Sequence, residues 1–409
     1  MHPSSLQIKD FSYDLPDEKI ARYPLEQRDQ SRLLMYKDGA LTEDIYRHID
    51  RHIPEQALLV FNQTKVIHAR LLFQKPTGGR IEVFCLEPDE RYQEVQQAML
   101  QQGEVYWKCL VGGAAKWKPG QVLQLSAGEA TQHLQMTAAV AERREGYFIL
   151  KLDWNKDMTF AEALHIAGHV PLPPYLDRDA DQSDEGRYQT IFAKEEGSVA
   201  APTAALHFTE TIIDRLTAKN IHTALLTLHV GAGTFKPVKS GTMQEHDMHA
   251  EWIEVDIPLL QRVIGKLRAH EPVIAVGTTS ARTLESLYWI GLRIHNKNFD
   301  PAGSIAVPQW YPYEEHQEIT AIAAYEALLQ YLQENRLSRL VTRTQIIIAP
   351  GYVFKVISAL VTNFHQPQST LLLLVSALVG DAWRDIYNYA LQEGFRFLSY
   401  GDGCLLWRI

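Results

Sequence analysis

Pro272-Val-Ile-Ala-Val-Gly-Thr-Thr-Ser-Ala-Arg-Thr-Leu-Glu-Ser-Leu-Tyr288 is the stretch that decides the fold class of this chain. The short apolar run from Pro272 to Val276 reads as a strand, because it is bounded by a proline and a glycine and is too short for a buried helix. Gly277 ends it, and Thr278, Thr279 and Ser280 then offer capping hydroxyls to a helix read from Ala281 to Tyr288. The free N–H groups at the start of such a helix can receive a carboxylate or a phosphate. The neighbouring sequence repeats the alternation: a helix from Glu210 to Lys219 ended by Asn220, a strand over 221–230 and a helix over 258–269. Interleaved helices and strands make the region beyond Pro171 α/β.

Working outward, Ala57-Leu-Leu-Val-Phe61 is a further strand. From Arg70 to Asp153 the pattern changes to short strands, among them 80–86, 105–111 and 122–125, separated by Gly-Gly, Pro-Gly and Ser-Ala-Gly turns. That spacing predicts a small all-β barrel or sandwich inserted at 70–153 into a main domain made of 1–69 and 154–409. Residues 292–344 read as a second insertion with an amphipathic helix near 319–332. Strands at 345–349 and 360–365 follow, then two helices, of which the apolar one from Leu371 to Val379 belongs in the core.

The 409 residues are 46% apolar, ample for a buried core, and their net charge of −9 argues against a surface that is basic throughout. An RNA contact must therefore be regional. Three cysteines without CxxC spacing indicate neither a disulfide framework nor a thiolate zinc site. With no apolar signal core at the N-terminus and no apolar run of ~20 residues, the expectation is a cytoplasmic chain with no membrane span.

Candidate chemistry gathers at element ends. His207 sits in the small-residue loop Ser198-Val-Ala-Ala-Pro-Thr-Ala-Ala-Leu-His207, just before a helix, and His229 ends a strand that opens onto Gly231-Ala-Gly-Thr-Phe235. The glycines read equally well as a tight structural turn or as a loop approached by ligand, and Pro237 removes the helix that a dinucleotide fingerprint needs. Glu245-His-Asp-Met-His-Ala-Glu251 brings carboxylates and imidazoles together, but the strand-like alternation after it does not favour convergence on a metal. Asn363 to His365, Asp402, and the polar stretch carrying Arg28 and Arg32 each have an ordinary reading as cap, turn and solvated loop. No Gly-x-Ser-x-Gly elbow and no Gly-Lys-Thr phosphate loop is present.

In order along the chain stand Phe11-Ser-Tyr-Asp-Leu-Pro16, Tyr23-Pro-Leu-Glu-Gln-Arg-Asp-Gln-Ser-Arg-Leu33, Gly78-Gly-Arg-Ile-Glu-Val83, Pro171-Leu-Pro-Pro-Tyr175, Leu206-His-Phe-Thr209, Thr227-Leu-His-Val-Gly-Ala-Gly-Thr-Phe235, Val276-Gly-Thr-Thr-Ser280, Thr362-Asn-Phe-His365 and Ser399-Tyr-Gly-Asp402. This ordered set resembles the S-adenosylmethionine:tRNA ribosyltransferase-isomerases of queuosine biosynthesis. The resemblance implies a mixed α/β fold, in which a large domain has a distorted β-barrel core with surrounding helices and a small all-β barrel-like domain is inserted. It implies S-adenosylmethionine as co-substrate, no metal, and as partner a tRNA with a GUN anticodon carrying 7-aminomethyl-7-deazaguanine. Ribosyl transfer and rearrangement to epoxyqueuosine would release adenine and methionine, from a chain expected to be a monomer.

For the polar set that handles the proton and the departing adenine, the resemblance points to His207, His229, Glu245, His249 and Glu251. Gly231, Gly233, Thr234, Gly277, Thr278, Thr279 and Ser280 are expected around the co-substrate, and Arg28, Arg32, Asn363, His365 and Asp402 around the nucleic-acid substrate. Gln368 stands where this family carries an arginine, which leaves open an alternative: a divergent relative that binds tRNA or nucleoside without turnover, or acts on an altered substrate.

Overall fold

A computed structural model describes residues 2–125, 133–231, 241–299 and 305–409. Among the described residues nine strands form the large sheet, in the order Arg339–Thr344, Glu251–Asp256, His222–His229, Leu58–Asn62, Val273–Val276, Ala359–Asn363, Gly403–Trp407, Arg32–Lys37 and Ala40–Ile45. The third to sixth of these run parallel to one another. Every residue of Leu58–Asn62, Val273–Val276 and Ala359–Asn363 is buried, as a central strand covered on both faces requires. Among the described residues no ladder joins the two edge strands, so the large sheet is open.

The helix after Val276 runs Thr278–His295, longer than the sequence reading at both ends. Gly277, with φ +91°, is the N-cap and makes no side-chain bond. Thr278, Thr279 and Ser280 therefore form the first turn instead of preceding it, because only glycine adopts the reversed backbone that swings the chain from strand to helix here. The helix is buried from Thr278 to Leu292 except at Thr279. It packs so closely on Ala321–Glu334 that a Cβ added at Gly291 would lie 2.0 Å from the Ala324 carbonyl oxygen. Side chains fix the ends of other helices: Thr209 caps Glu210–Ala218, Asp256 caps Ile257–Arg268, and Ser369 caps the buried Thr370–Val379.

One expected strand is displaced. Residues 346–349 are buried, but 345–349 join no ladder among the described residues, and the edge strand is Arg339–Thr344. The apolar run instead turns over the long helix, with Gln345 N–H donating to Val307 O at 3.0 Å and Ile347 O accepting from Tyr313 Oη at 3.0 Å.

The second sheet is antiparallel. Arg70–Gln74, Arg80–Pro88, Glu104–Gly112, Tyr147–Asp153, Thr137–Arg144 and Leu123–Leu125 pair in that order, and the last returns to the first through Phe73 and Leu125 to close a six-stranded barrel. Gly168–His169 adds beside Arg70–Leu71, so one short strand of this sheet lies beyond residue 153. The helix Phe160–Ala167, held by the Thr159/Glu162 capping box, buries Phe160 against Trp107 at 4.9 Å between ring centroids. Among the described residues no helix is long and apolar enough to cross a membrane.

Candidate active site

The four parallel strands end on the same side of the sheet, and each delivers polar chemistry there. Leu58–Asn62 ends in Asn62, His222–His229 in His229, Val273–Val276 runs into Gly277 and the helix N-terminus, and Ala359–Asn363 ends in Asn363. In open α/β sheets this carboxyl edge is where ligands bind. A cleft of about 720 Å³, counted with its open mouth, lies there, walled by Ala200–Ala204, Gly277–Thr279, Thr362–Gln366 and the rings of Tyr175 and Tyr188. That is within the size range of small-molecule sites.

Asn363 is the most tightly specified side chain in the cleft. His207 Nδ1 faces the Arg28 carbonyl oxygen at 3.3 Å, and its Nε2 faces Asn363 Nδ2 at 3.3 Å. A carbonyl only accepts, so the proton sits on Nδ1 and Nε2 is the acceptor, which requires Asn363 to turn its NH₂ toward the ring. The opposite end agrees: Asn363 Oδ1 accepts from Thr203 Oγ1 at 2.8 Å. One N–H and one lone pair of the amide remain for a ligand. The His207 ring is 3% exposed, stacks 4.3 Å from Tyr46, and has its pKa lowered by burial to about 4. It is a fixed neutral acceptor behind Asn363. A base working near neutral pH needs a higher pKa.

His365 behaves alike. Its Nε2 lies 2.8 Å from Thr362 Oγ1, its N–H donates to Tyr387 Oη at 3.0 Å, and burial lowers its pKa to about 3. Above about pH 6.5 both histidines are neutral whether the chain is folded or unfolded. Below it, the unfolded chain takes up protons that the folded rings accept only near 4 and 3, so stability falls as pH drops. We expect ~2 kcal/mol lost per ring by pH 5, read as a lower urea midpoint than at pH 7. A midpoint unchanged over that range would contradict neutral burial of these rings.

Gly277 N–H donates to Val361 O at 2.8 Å, which stitches the turn to the strand carrying Asn363. The first helical bond runs from Ala281 N–H to Gly277 O. The N–H groups of Thr278, Thr279 and Ser280 are thus the orphan donors of the helix end, at its positive pole. On the opposite wall Tyr175 Oη lies 2.5 Å from Ser399 Oγ, and the hydroxyl of buried Tyr188 has no hydrogen-bond partner among the described residues. Sequence reasoning passed over both tyrosines. Their rings in Pro171-Leu-Pro-Pro-Tyr175 and Arg187-Tyr188 carried no spacing that marks a site.

Beside the cleft, Glu251 and Arg282 form a buried ion pair, and Glu251 Oε1 accepts from Gly231 N–H at 3.3 Å. His229 is close by on the adjacent strand. Its Nδ1 lies 3.0 Å from Thr64 Oγ1 and its Nε2 is 3.7 Å from Glu254 Oε1 without a hydrogen bond. Gly197, at φ +139°, makes room for this ring, since a Cβ there would lie 3.0 Å from His229 Nδ1 and 2.4 Å from Val95 Cγ1. Gly233 and Thr234 lie outside the described residues.

The expected polar set does not converge. His249 is exposed in a separate cleft of about 940 Å³ between barrel and sheet, shared with Lys108 and Arg343. Glu245 is exposed on the short turn Met243–Glu245. Their chain spacing suggested proximity, but of Glu245, His249 and Glu251 only Glu251, the first residue of its strand, is buried.

Three other expected contacts are committed elsewhere. Asp402 accepts from Arg32 N–H at 2.9 Å and Arg396 N–H at 2.8 Å, and pairs with Arg396 Nη2 at 3.0 Å, tying the C-terminal turn to the first strand. The Arg32 guanidinium packs on Phe395 and bonds Glu43 and the Glu393 carbonyl. Arg28 donates to the carbonyls of Gln189 and Gly186 and reaches the site only through its own carbonyl to His207. Gln368, at φ +55°, donates N–H to Phe11 O at 2.9 Å and Nε2 to Ser12 Oγ at 3.3 Å. Among the described residues no group of three or more His, Cys, Asp or Glu is placed to hold a metal.

Comparison with known proteins adds to this geometry. A family model described as queuosine biosynthesis protein matches residues 8–406. An S-adenosylmethionine:tRNA ribosyltransferase-isomerase of Pelobacter propionicus is 37% identical over 98% of this chain and 99% of its own length. One of Trichlorobacter lovleyi is 38% identical with the same coverage. A solved S-adenosylmethionine tRNA ribosyltransferase of Thermotoga maritima aligns over 97% of this chain and 99% of that one, at 27% identity and a TM-score of 0.45.

Proposed function

Because this chain belongs to the queuosine biosynthesis protein family, we propose that it acts as an S-adenosylmethionine:tRNA ribosyltransferase-isomerase with its reaction centre in the cleft at the carboxyl edge of the large sheet. The observation that carries the placement is the meeting, in that cleft, of an amide held in one orientation at Asn363 with the free helix N-terminus at Thr278–Ser280. The acceptor is the aminomethyl group of the 7-deazaguanine at the wobble position of tRNAs with a GUN anticodon. We read the chain as a monomer of the cytoplasm that uses no metal.

The reaction breaks the bond from ribose to adenine and the bond from ribose to the sulfonium, so adenine and methionine both leave. The chain has to bind an anionic amino-acid end, hold a flat base, and support charge that develops on departing adenine. The helix N-terminus suits the first, and the Tyr175 and Tyr188 rings suit the second. For the third, Asn363 keeps an N–H directed by its neighbours, so no reorganisation is needed as charge develops. His207 acts through Asn363 and is a positioning residue.

Product analysis is the test. With S-adenosylmethionine and tRNA bearing the aminomethyl deazaguanine, adenine and methionine should appear in equal amounts. S-adenosylhomocysteine as the co-product would instead make the chain a methyltransferase.

A further inference from the structure

Arg282 is 8% exposed, yet its guanidinium is unequally satisfied. Nη1 is paired with Glu251 Oε2 and Nε donates to Ile346 O at 3.3 Å, while Nη2 has no partner among the described residues. A guanidinium is a donor only, and a buried charged N–H without an acceptor is costly enough that native structures reserve it for an oxygen ligand or an ordered water. Glu251 is 5% exposed, and among the described residues the only neutral donor on its Oε1 is Gly231 N–H. An ionised carboxylate accepts about four bonds. The pair thus leaves one open donor and open acceptor positions side by side.

Its place makes those positions useful. Arg282 is three and four residues beyond Thr279 and Thr278, on the same face of the helix, and helical side chains lean toward the N-terminus. The guanidinium accordingly leans toward the turn whose N–H groups are free. Gly231, bonded to Glu251, directly follows Val230 in the cleft wall. A bare anion such as phosphate would gain from Arg282 but be repelled by Glu251. A group with adjacent negative and positive charges is matched by both.

We propose that Arg282 and Glu251 bind the α-amino-acid end of S-adenosylmethionine, Arg282 Nη2 donating to the carboxylate and Glu251 Oε1 accepting from the ammonium. This rests on the reading of the cleft as the S-adenosylmethionine site. Glu251 is then a binding residue, not a base, and Arg282 joins the site as a residue that sets which sulfonium is accepted.

The test compares equilibrium binding of three compounds to the full chain: S-adenosylmethionine, its decarboxylated analogue, and 5′-methylthioadenosine, which lacks the amino-acid end. Wild type should bind the decarboxylated analogue ~10–100-fold more weakly than S-adenosylmethionine, the range of one charge-assisted hydrogen bond. Arg282→Gln should lose a similar factor for S-adenosylmethionine, little for the decarboxylated analogue, and nothing for 5′-methylthioadenosine. Equal wild-type affinity for the first two compounds overturns the proposal, and this comparison holds even if the variant folds poorly. Equal weakening of all three by Arg282→Gln also overturns it. Failure of wild type to bind any of the three overturns the underlying reading of the cleft.

Discussion

Replacing Asn363 by alanine should lower kcat/KM for ribosyl transfer by ~10²–10³-fold, the usual cost of removing one preorganised donor from a reaction centre. The side chain is 3% exposed and has one hydrogen-bonding position at each end taken by protein, Nδ2 by His207 and Oδ1 by Thr203. What remains for substrate is a donor and an acceptor of fixed polarity. Alanine also leaves His207 Nε2 and the Thr203 hydroxyl without partners, so unfolding free energy should fall by about 1–3 kcal/mol. Asn363→Asp separates the two effects. It keeps the shape but has no N–H for a neutral imidazole or for substrate, so its kcat/KM at pH 7.5 should fall nearly as far as that of alanine. Single-turnover kinetics on folded protein decide the matter, and wild-type activity in the aspartate variant would remove Asn363 from the mechanism.

Glu285→Gln should cost about 2–4 kcal/mol of stability despite its near-identical shape. Glu285 is fully buried on the long helix with its carboxylate receiving four hydrogen bonds. Oε2 accepts from Tyr352 Oη at 2.8 Å and Lys355 N–H at 2.9 Å, and Oε1 from Val356 N–H at 3.0 Å and Ile357 N–H at 3.1 Å. Glutamine accepts at one end only, so whichever way it turns, its NH₂ meets two donors. Glu285→Ala leaves all four orphaned and should cost more. Because 352–357 leads into Ala359–Asn363, loss of this anchor should also loosen the strand that carries Asn363 and lower kcat. Urea denaturation with matched kinetics would show it, and a glutamine variant of wild-type stability would contradict the four-acceptor account.

The sequence was most legible where a local rule has a single outcome. The bounded apolar run at Val273–Val276 and the end of the preceding helix at Asn220 stand where expected. Asp38-Gly39 was an equally local signal that went unread. Both residues have positive φ and turn Arg32–Lys37 into Ala40–Ile45, as a two-residue hairpin requires. Less legible was whatever depends on distant partners. The run at 346–349 has strand composition, but its backbone is satisfied by loop groups over the long helix. Gly403–Trp407 went unread as a strand, yet lies between Ala359–Asn363 and Arg32–Lys37.

The site divides in the same way. Asn363 and the turn at Gly277–Thr279 were marked by their positions at element ends. His207 was marked too, but a ring's role depends on burial and on what faces each nitrogen, and neither is written in the local sequence. Arg282 looks like an ordinary helical charge until Glu251, 31 residues earlier in the chain, is seen to bury it. Glu245 and His249 show the converse, since nearness in the chain did not become nearness in the fold.

A ribosyltransferase-isomerase moves the ribosyl group of S-adenosylmethionine, not its methyl, to tRNA. The most direct measurement supplies S-adenosylmethionine labelled separately in the ribose and in the methyl, together with tRNA bearing the aminomethyl deazaguanine, and counts both labels in the recovered tRNA. Ribose label should enter up to one per tRNA while methyl label leaves with methionine. Methyl label in the tRNA, or neither label with folded protein and intact substrates, would contradict the account.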